Sequence, residues 1–286
     1  MVQQQKDRAS LLVQALPYIQ KFNGKTIVVK YGGNAMVEDA LKDAVIKDII
    51  LLSLVGINVV LVHGGGPEIS QMLAKLNIKT RFIDGLRYTD KDTMDVVQQI
   101  LCGKINKNLV SLINNAGGRA IGLGGMDGEM IQAVRRSGKD LGLVGDITSI
   151  DPRVVNDVIS KGYIPVVSGI AQAVDESGIY NVNADTVAAE LAVALGAIKL
   201  ILLTDVRGVL MDASDEDTLI SRIKVADIDQ LKSNEILSGG MLPKIECCIK
   251  ALAGGVERTH IIDGRIEHSI LIELLSDEGI GTMITA

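Results

Sequence analysis

Tryptophan is absent from this 286-residue chain, and aromatic residues make up only 2% of it. The core must therefore be aliphatic, and stacking platforms for nucleic-acid bases are scarce. There is no stripe of Lys and Arg, and the net charge is -6, a poor balance for binding a phosphate backbone. Cysteine is scarce too. Cys102, Cys247 and Cys248 are odd in number, and two are adjacent, a spacing that rarely meets disulfide geometry. A reducing compartment is the simpler expectation. No C-x-x-C pair occurs and His63, His260 and His268 are scattered, so no zinc site is expected. The N-terminal stretch has no apolar run of signal-peptide type, and the longest apolar runs are about strand length. These absences lead to the expectation of a soluble, cytoplasmic protein with no nucleic-acid or membrane partner.

Apolar residues reach 47%, enough for a large core. Short β-rich runs alternate with longer helical patterns. Strands are expected at Ile27–Val29, Ile57–Val62, Arg119–Leu123, Tyr163–Val167, Lys199–Leu203 and Val256–Ile262. Helices are expected over 38–55, up to about Leu76, and over 90–116. Residues 126–148 and 205–223 are polar and Gly-punctuated, and are expected to be hairpins or loops. Residues 5–22 form an amphipathic helix with Leu11, Leu12, Ala15, Leu16 and Ile19 at helical spacing, ended by Asn23-Gly24. The rhythm predicts an α/β fold, a three-layer αβα sandwich around a mostly parallel sheet. Ligands of such sheets gather where strands end and helices begin. No internal repeat or low-complexity linker divides the chain.

Two glycine motifs are decoys. Gly24-Lys25-Thr26 resembles the end of a Walker A motif, but it precedes a strand, and Ile19 stands where the motif needs glycine. Gly122, Gly124, Gly125 and Gly128 have the wrong spacing for a dinucleotide fingerprint and precede a polar hairpin rather than a helix.

Other segments carry chemistry. Lys30 ends a buried strand before Gly32-Gly33, which would bring an ammonium and bare amides to the ligand rim; a solvated lysine beside a plain turn is the alternative. His63-Gly64-Gly65-Gly66-Pro67 follows a strand and opens a helix, a place for an anionic group, or else a tight turn with a satisfied His63. Arg87 precedes a helix, where it can fork onto a carboxylate or sit as a surface charge. Asn183 is a natural N-cap and Asp185 suits a first turn, which leaves Asn181 unexplained. Thr204 and Asp205 end another apolar strand. Lys244 lies in a first helical turn, where the macrodipole disfavours a cation; it either meets an anion or reaches out to water.

The ordered set K-x-G-G, H-G-G-G, G-L-R-x-T, N-x-N-A-D, T-D and G-G-M-x-x-K resembles the amino acid kinase family, and within it the acetylglutamate kinase branch, from Lys25 to the end. The resemblance implies ATP-dependent phosphorylation of the side-chain carboxylate of N-acetyl-L-glutamate in arginine biosynthesis. It implies ATP with Mg²⁺, the metal held mainly by the nucleotide phosphates. It implies a single kinase domain over 1–286, with an acceptor lobe over 23–180 and a nucleotide lobe over 181–286. Lys30 and Lys244 then flank the transferring phosphoryl group and Asp185 orients both. Gly65, Gly66, Arg87 and Asn181 contact the acceptor, and Gly32, Gly33, Thr204 and Asp205 contact the nucleotide. Residues 5–22 resemble the oligomerisation helix of the arginine-inhibited branch, which implies a homohexamer built as a trimer of dimers. Tyr18, His268, Glu273, Gly279 and Gly281 correspond to that branch's arginine site; ordinary helix-surface roles for His268 and Glu273 are the alternative. Some members also bind a PII-type nitrogen-signalling protein. The rival readings are another carboxylate or carbamate kinase of this fold, and a non-catalytic amino-acid sensor, whose expected mark is a missing reactive lysine.

Overall fold

The computed structural model describes residues 2–32, 36, 38–277 and 279–286. The strands in chain order are β1 (Thr26–Tyr31), β2 (Asn58–His63), β3 (Phe82–Ile83), β4 (Leu86–Arg87), β5 (Ala120–Gly124), β6 (Ile131–Arg135) and β7 (Gly145–Ile150). They continue with β8 (Ile164–Ser168), β9 (Ile170–Ala173), β10 (Ile179–Asn181), β11 (Lys199–Thr204), β12 (Arg222–Lys224), β13 (Arg258–Asp263) and β14 (Thr282–Thr285). The helices are α1 (Val2–Phe22), α2 (Asp39–Leu54), α3 (Gly66–Lys75), α4 (Lys91–Gln98) and α5 (Asn106–Asn115). After them come α6 (Arg153–Ser160), α7 (Ala184–Ala194), α8 (Ile228–Ser233), α9 (Met241–Ala253) and α10 (Ser269–Leu275).

Among the described residues an eight-stranded sheet runs β12-β14-β13-β11-β1-β2-β8-β5, parallel except where β14 meets β13. Its central strands are continuous aliphatic runs because both faces are covered. Side chains alternate across the sheet, so β1 sends Ile27, Val29 and Tyr31 to one core. That core also holds Ile49 of α2, Ile113 of α5 and Ile270 of α10. Val28 goes to the opposite core, with Leu191 of α7, Val155 of α6 and Ile245 of α9. The result is the expected three-layer sandwich. No helix among the described residues is long and apolar enough to cross a membrane.

Two differences from the sequence expectations have physical causes. The 90–116 segment is one helical path, but Gln99–Ile105 is a π-helical turn between α4 and α5. One inserted residue does not disturb an apolar pattern enough to be read from it. The polar 126–148 stretch does form a hairpin, β6 with β7, which joins β9 and β10 in a separate four-stranded sheet. The short apolar runs of β9 and β10 look like loop flanks until they pair. The N-terminal helix ends at Asn23-Gly24 as expected, and Gly24 takes the left-handed conformation with φ 71°.

The two-faced core sets an expectation for truncation. Leu61 is fully buried in β2, whereas Leu54, at the end of α2, is 75% exposed. Leu61→Ala should cost about 2–5 kcal/mol in a urea melt, and Leu54→Ala within about 0.5 kcal/mol.

Candidate active site

The alternation that buries β1 also aims Lys30. It follows Val28 on the α7 face, between Val62 of β2 and Leu202 of β11 in the parallel register. Its stem is packed among aliphatic side chains, and the residue is 8% exposed. The ammonium folds back over the next turn. A Cβ at Gly32 would stand 2.8 Å from Lys30 Nζ, so a side chain there would collide with the charge.

Opposite Lys30 lies the start of α7. Asn183 caps it, its Oδ1 accepting from the Asp185 amide at 2.8 Å and the Thr186 amide at 3.3 Å. The cap fixes Asp185 in the first turn. Asp185 Oδ1 lies 3.0 Å from Lys30 Nζ, and Lys244 Nζ donates to Oδ2 at 2.8 Å. Lys244 comes from the first turn of α9, whose Ile245, Cys248 and Ala251 are buried. Its unfavourable placement against the helix dipole is offset by this carboxylate, and it does not reach out to water. Burial works to raise the Asp185 pKa, but the two ammonium groups outweigh it and hold the carboxyl below its usual range.

The His63–Pro67 loop forms the adjoining wall. The Gly64 amide donates to the Tyr31 carbonyl at 2.9 Å, which ties the loop to β1. Gly65 packs closely: a Cβ there would lie 2.4 Å from the terminal methyl of Ile105 and 2.7 Å from one of Leu101, so both side chains would have to move. Among the described residues the Gly65 and Gly66 amides have no hydrogen-bond partner, and both residues line the cavity at the N-terminus of α3.

Arg87 closes the far side. Its Nη2 donates to the Gly66 carbonyl at 3.0 Å and to Ser70 Oγ at 2.9 Å, and the guanidinium stacks 4.7 Å from the Phe82 ring centre. Nη1 is buried with no partner among the described residues. Burial alone pushes the Arg87 pKa down. A buried guanidinium with a free fork is a site for a carboxylate. Asn181, at the end of β10, donates from Nδ2 to Thr89 Oγ1 at 3.2 Å.

Lys30, Gly32, Gly65, Gly66, Arg87, Asn181 and Asp185 line one cavity of about 290 Å³. Lys244 joins through its bond to Asp185. Three cations therefore face one carboxylate, so the site as built favours an added anion. Thr204 and Asp205 do not line this cavity. They end β11 on the same rim, next to β1, with Thr204 Oγ1 donating to Asp205 Oδ1 at 3.3 Å. Gly33 lies outside the described residues.

A second cavity, of about 250 Å³, lies between α1 and the C-terminal elements. It brings together Tyr18, Glu273, Gly279 and Gly281 with Lys199, Arg258 and His260. Glu273 takes a hydrogen bond from the Ile280 amide at 2.9 Å and sits 2.6 Å from His260 Nδ1. Tyr18 donates to Asp277. His268 stands elsewhere. It caps α10 in a left-handed conformation, φ 58°, and its Nδ1 lies 2.6 Å from the buried Asp48 of α2. The sequence reading missed Lys199, Arg258 and His260, whose only signal was charge or imidazole on strands that otherwise read as core. It also missed Asn106, a polar residue in an apolar helical stretch.

Residues 25–263 match the model of the amino acid kinase family. The chain belongs to the amino acid kinase family. Within that family it is similar to the acetylglutamate kinase of Thermosynechococcus vestitus, with 54% identity over 97% of this chain and 94% of the relative. It is 56% identical to the acetylglutamate kinase of Clostridium beijerinckii, over 97% of this chain and 98% of that one. Among solved structures, the N-acetylglutamate synthase of Neisseria gonorrhoeae, complexed with coenzyme A and N-acetyl-glutamate, superposes with a TM-score of 0.85 at 26% identity. The superposition covers 97% of this chain and spans 63% of the synthase. Carbamate kinase from Giardia lamblia bound to AMP-PNP shares the fold, with a TM-score of 0.66 at 17% identity over 92% of this chain and 98% of that one.

His63 sets a pH expectation. Burial lowers its pKa to about 4, although its bond to Gly64 works the other way. A depressed folded pKa contributes stability that is present above about pH 6.5 and is lost as pH falls through about 4. Wild type should lose about 3 kcal/mol over that window at this residue, and His63→Asn should lack that component. Parallel urea melts of the two proteins near neutrality and near pH 4.5 measure the difference.

Proposed function

We propose that this chain transfers the γ-phosphoryl group of ATP to the side-chain carboxylate of N-acetyl-L-glutamate, as a cytoplasmic enzyme of arginine biosynthesis. The observation that carries the reading is Asp185 held between the ammonium groups of Lys30 and Lys244, beside a cavity with an unpaired guanidinium. The similarity to acetylglutamate kinases along nearly the whole chain supports the acceptor.

A carboxylate acceptor is ionised near neutral pH, so no general base is required. One acceptor oxygen attacks the γ-phosphorus in line, the bond to the bridging oxygen breaks, and ADP leaves with the electron pair. The barrier is the approach of two anions and the charge spread over the phosphoryl oxygens. Lys30 from one side and Lys244 from the other offset that charge, and Asp185 positions both. Gly65 and Gly66 amides and Arg87, from the lobe assigned to residues 23–180, hold the acceptor together with Asn181 at the start of the other lobe. Thr204 and Asp205, from the lobe assigned to residues 181–286, hold the nucleotide together with Gly32 and Gly33 of the other lobe. Among the described residues there is no cluster of three or more His, Cys, Asp or Glu for a metal. The lysine-rich donor set fits Mg²⁺ carried on the ATP phosphates, where it would screen their charge.

Removing one charge-stabilising donor from such a site costs roughly 10²–10³ in turnover. Lys30→Ala and Lys244→Ala should each lose that much or more in a coupled ADP-release assay, with a smaller loss of acetylglutamate affinity. Asp185→Asn should fold and lose turnover by misplacing both lysines. Wild-type turnover in any of these variants removes that residue from the mechanism. Faster turnover of carbamate or a free amino-acid carboxylate than of acetylglutamate would transfer the assignment to a sister kinase.

Arginine is the proposed inhibitor. Support comes from Glu273 in the second cavity, and from the Neisseria gonorrhoeae synthase complexed with coenzyme A and L-arginine, which superposes with a TM-score of 0.81 at 25% identity. The exposed Leu12, Val13 and Leu16 of α1 support a role for that helix in joining dimers into a hexamer. Deletion of residues 1–22 should abolish arginine inhibition and reduce the particle to a dimer by sedimentation. Retained inhibition in a dimer refutes this assignment.

A further inference from the structure

His63 and Asn106 have no part in the mechanism above, yet both are buried behind the glycine loop. Asn106 follows the π-helical turn, and that turn's extra residue rotates the helix so that position 106 faces the sheet. There it reaches three acceptors. Its Nδ2 lies 2.9 Å from the Val166 carbonyl, 3.2 Å from His63 Nε2 and 3.5 Å from the Leu123 carbonyl. Exchanging the amide oxygen and nitrogen would set oxygen against two carbonyls, so the amide orientation is determined by its surroundings. The Oδ1 atom points at Gly122, where a Cβ would stand only 1.8 Å away. Gly122, one of the glycines of the false dinucleotide motif, is thus explained by Asn106.

The amide orientation has a consequence for His63. Because Asn106 donates, His63 Nε2 must accept, and the ring proton of the neutral imidazole must be on Nδ1. Nδ1 lies 3.0 Å from the Gly64 carbonyl and can donate to it. Gly64 is then held on both sides of its Cα, its amide on Tyr31 and its carbonyl on His63. The next two amides, those of Gly65 and Gly66, are the ones left free at the cavity. With the opposite tautomer, the Nδ1 lone pair would face the Gly64 carbonyl and the loop would lose that restraint.

We propose that Asn106 is a positioning residue: it selects the Nδ1-protonated tautomer of His63, and that tautomer holds the Gly64–Gly66 backbone in the orientation that receives the acceptor anion. This rests on the assignment of the glycine loop to the acceptor.

The test combines a spectroscopic and a kinetic readout on the full chain. The sequence has three histidines, so ¹⁵N-histidine labelling with two-bond proton–nitrogen correlation resolves each ring. Wild type should show His63 protonated on Nδ1 and bare at Nε2 from mildly acidic to mildly alkaline pH. Asn106→Leu should lose that signature and raise the acetylglutamate KM roughly tenfold, the effect of one hydrogen bond, while the ATP KM moves far less. Of two replacements at position 63, Asn places its amide where Nδ1 stood and Gln where Nε2 stood. His63→Asn should therefore keep the acetylglutamate KM several-fold lower than His63→Gln. An Nε2-protonated His63 in wild type overturns the inference, whatever the enzyme phosphorylates. So does an Asn106→Leu protein with the wild-type signature and KM, or equal damage from the two His63 variants. The wild-type tautomer is read without substrate, so a failure of the acetylglutamate assignment remains distinguishable from a failure of this one.

Discussion

Two ammonium groups brought to one place repel each other, and the arrangement at this sheet rim depends on the single carboxylate between them. Asp185 takes Lys30 on one oxygen and Lys244 on the other. The three groups are mostly buried, so solvent screens them little and each interaction is strong. One negative charge is enough to hold the lysines but leaves the cluster with an excess of positive charge. That excess, together with the unpaired fork of Arg87 and the free amides of the glycine loop, makes the cavity a receptor for anions.

Ordinary rules of chain geometry deliver the cluster. Alternation along β1 places Lys30 on the α7 side, because Val28 on that side belongs to the core. Parallel pairing brings the ends of β11, β1 and β2 to a common rim. An asparagine cap fixes the first turn of α7, and so the position of Asp185. The packing of α9 on the same core brings Lys244 in from the other side. None of these steps needs backbone strain at the charged residues, and none of the three charged residues has a positive φ. The site's precision comes from elements that the core already requires to be rigid.

How much was legible in the sequence follows from the range of each interaction. The strand–helix alternation, the Asn183 cap and the end of α1 at Gly24 are local, and follow directly from spacing and turn chemistry. Lys30 and Lys244 stood out because a lysine at the end of a buried strand and a lysine in a first helical turn both ask for a partner. Their common partner was supplied by resemblance, since nothing local links residues 30, 185 and 244. The π-helical turn was invisible because one extra residue shifts a helical pattern no more than ordinary variation does. Asn106 therefore read as part of a helix rather than as a hydrogen-bond donor to the sheet. The resemblance groups His268 with Glu273, whereas its left-handed backbone turns it toward Asp48, and His260 from the neighbouring strand β13 stands beside Glu273.

Phosphoryl transfer at this rim depends on where the phosphoryl group sits. A crystal structure with a non-hydrolysable ATP analogue and N-acetyl-L-glutamate bound together measures this directly. The terminal phosphoryl group should lie within hydrogen-bond reach of both Lys30 Nζ and Lys244 Nζ, with the acceptor's side-chain carboxylate in line and its other carboxylate on Arg87. A terminal phosphoryl group bound away from either lysine, with the acceptor in place, would contradict this mechanism.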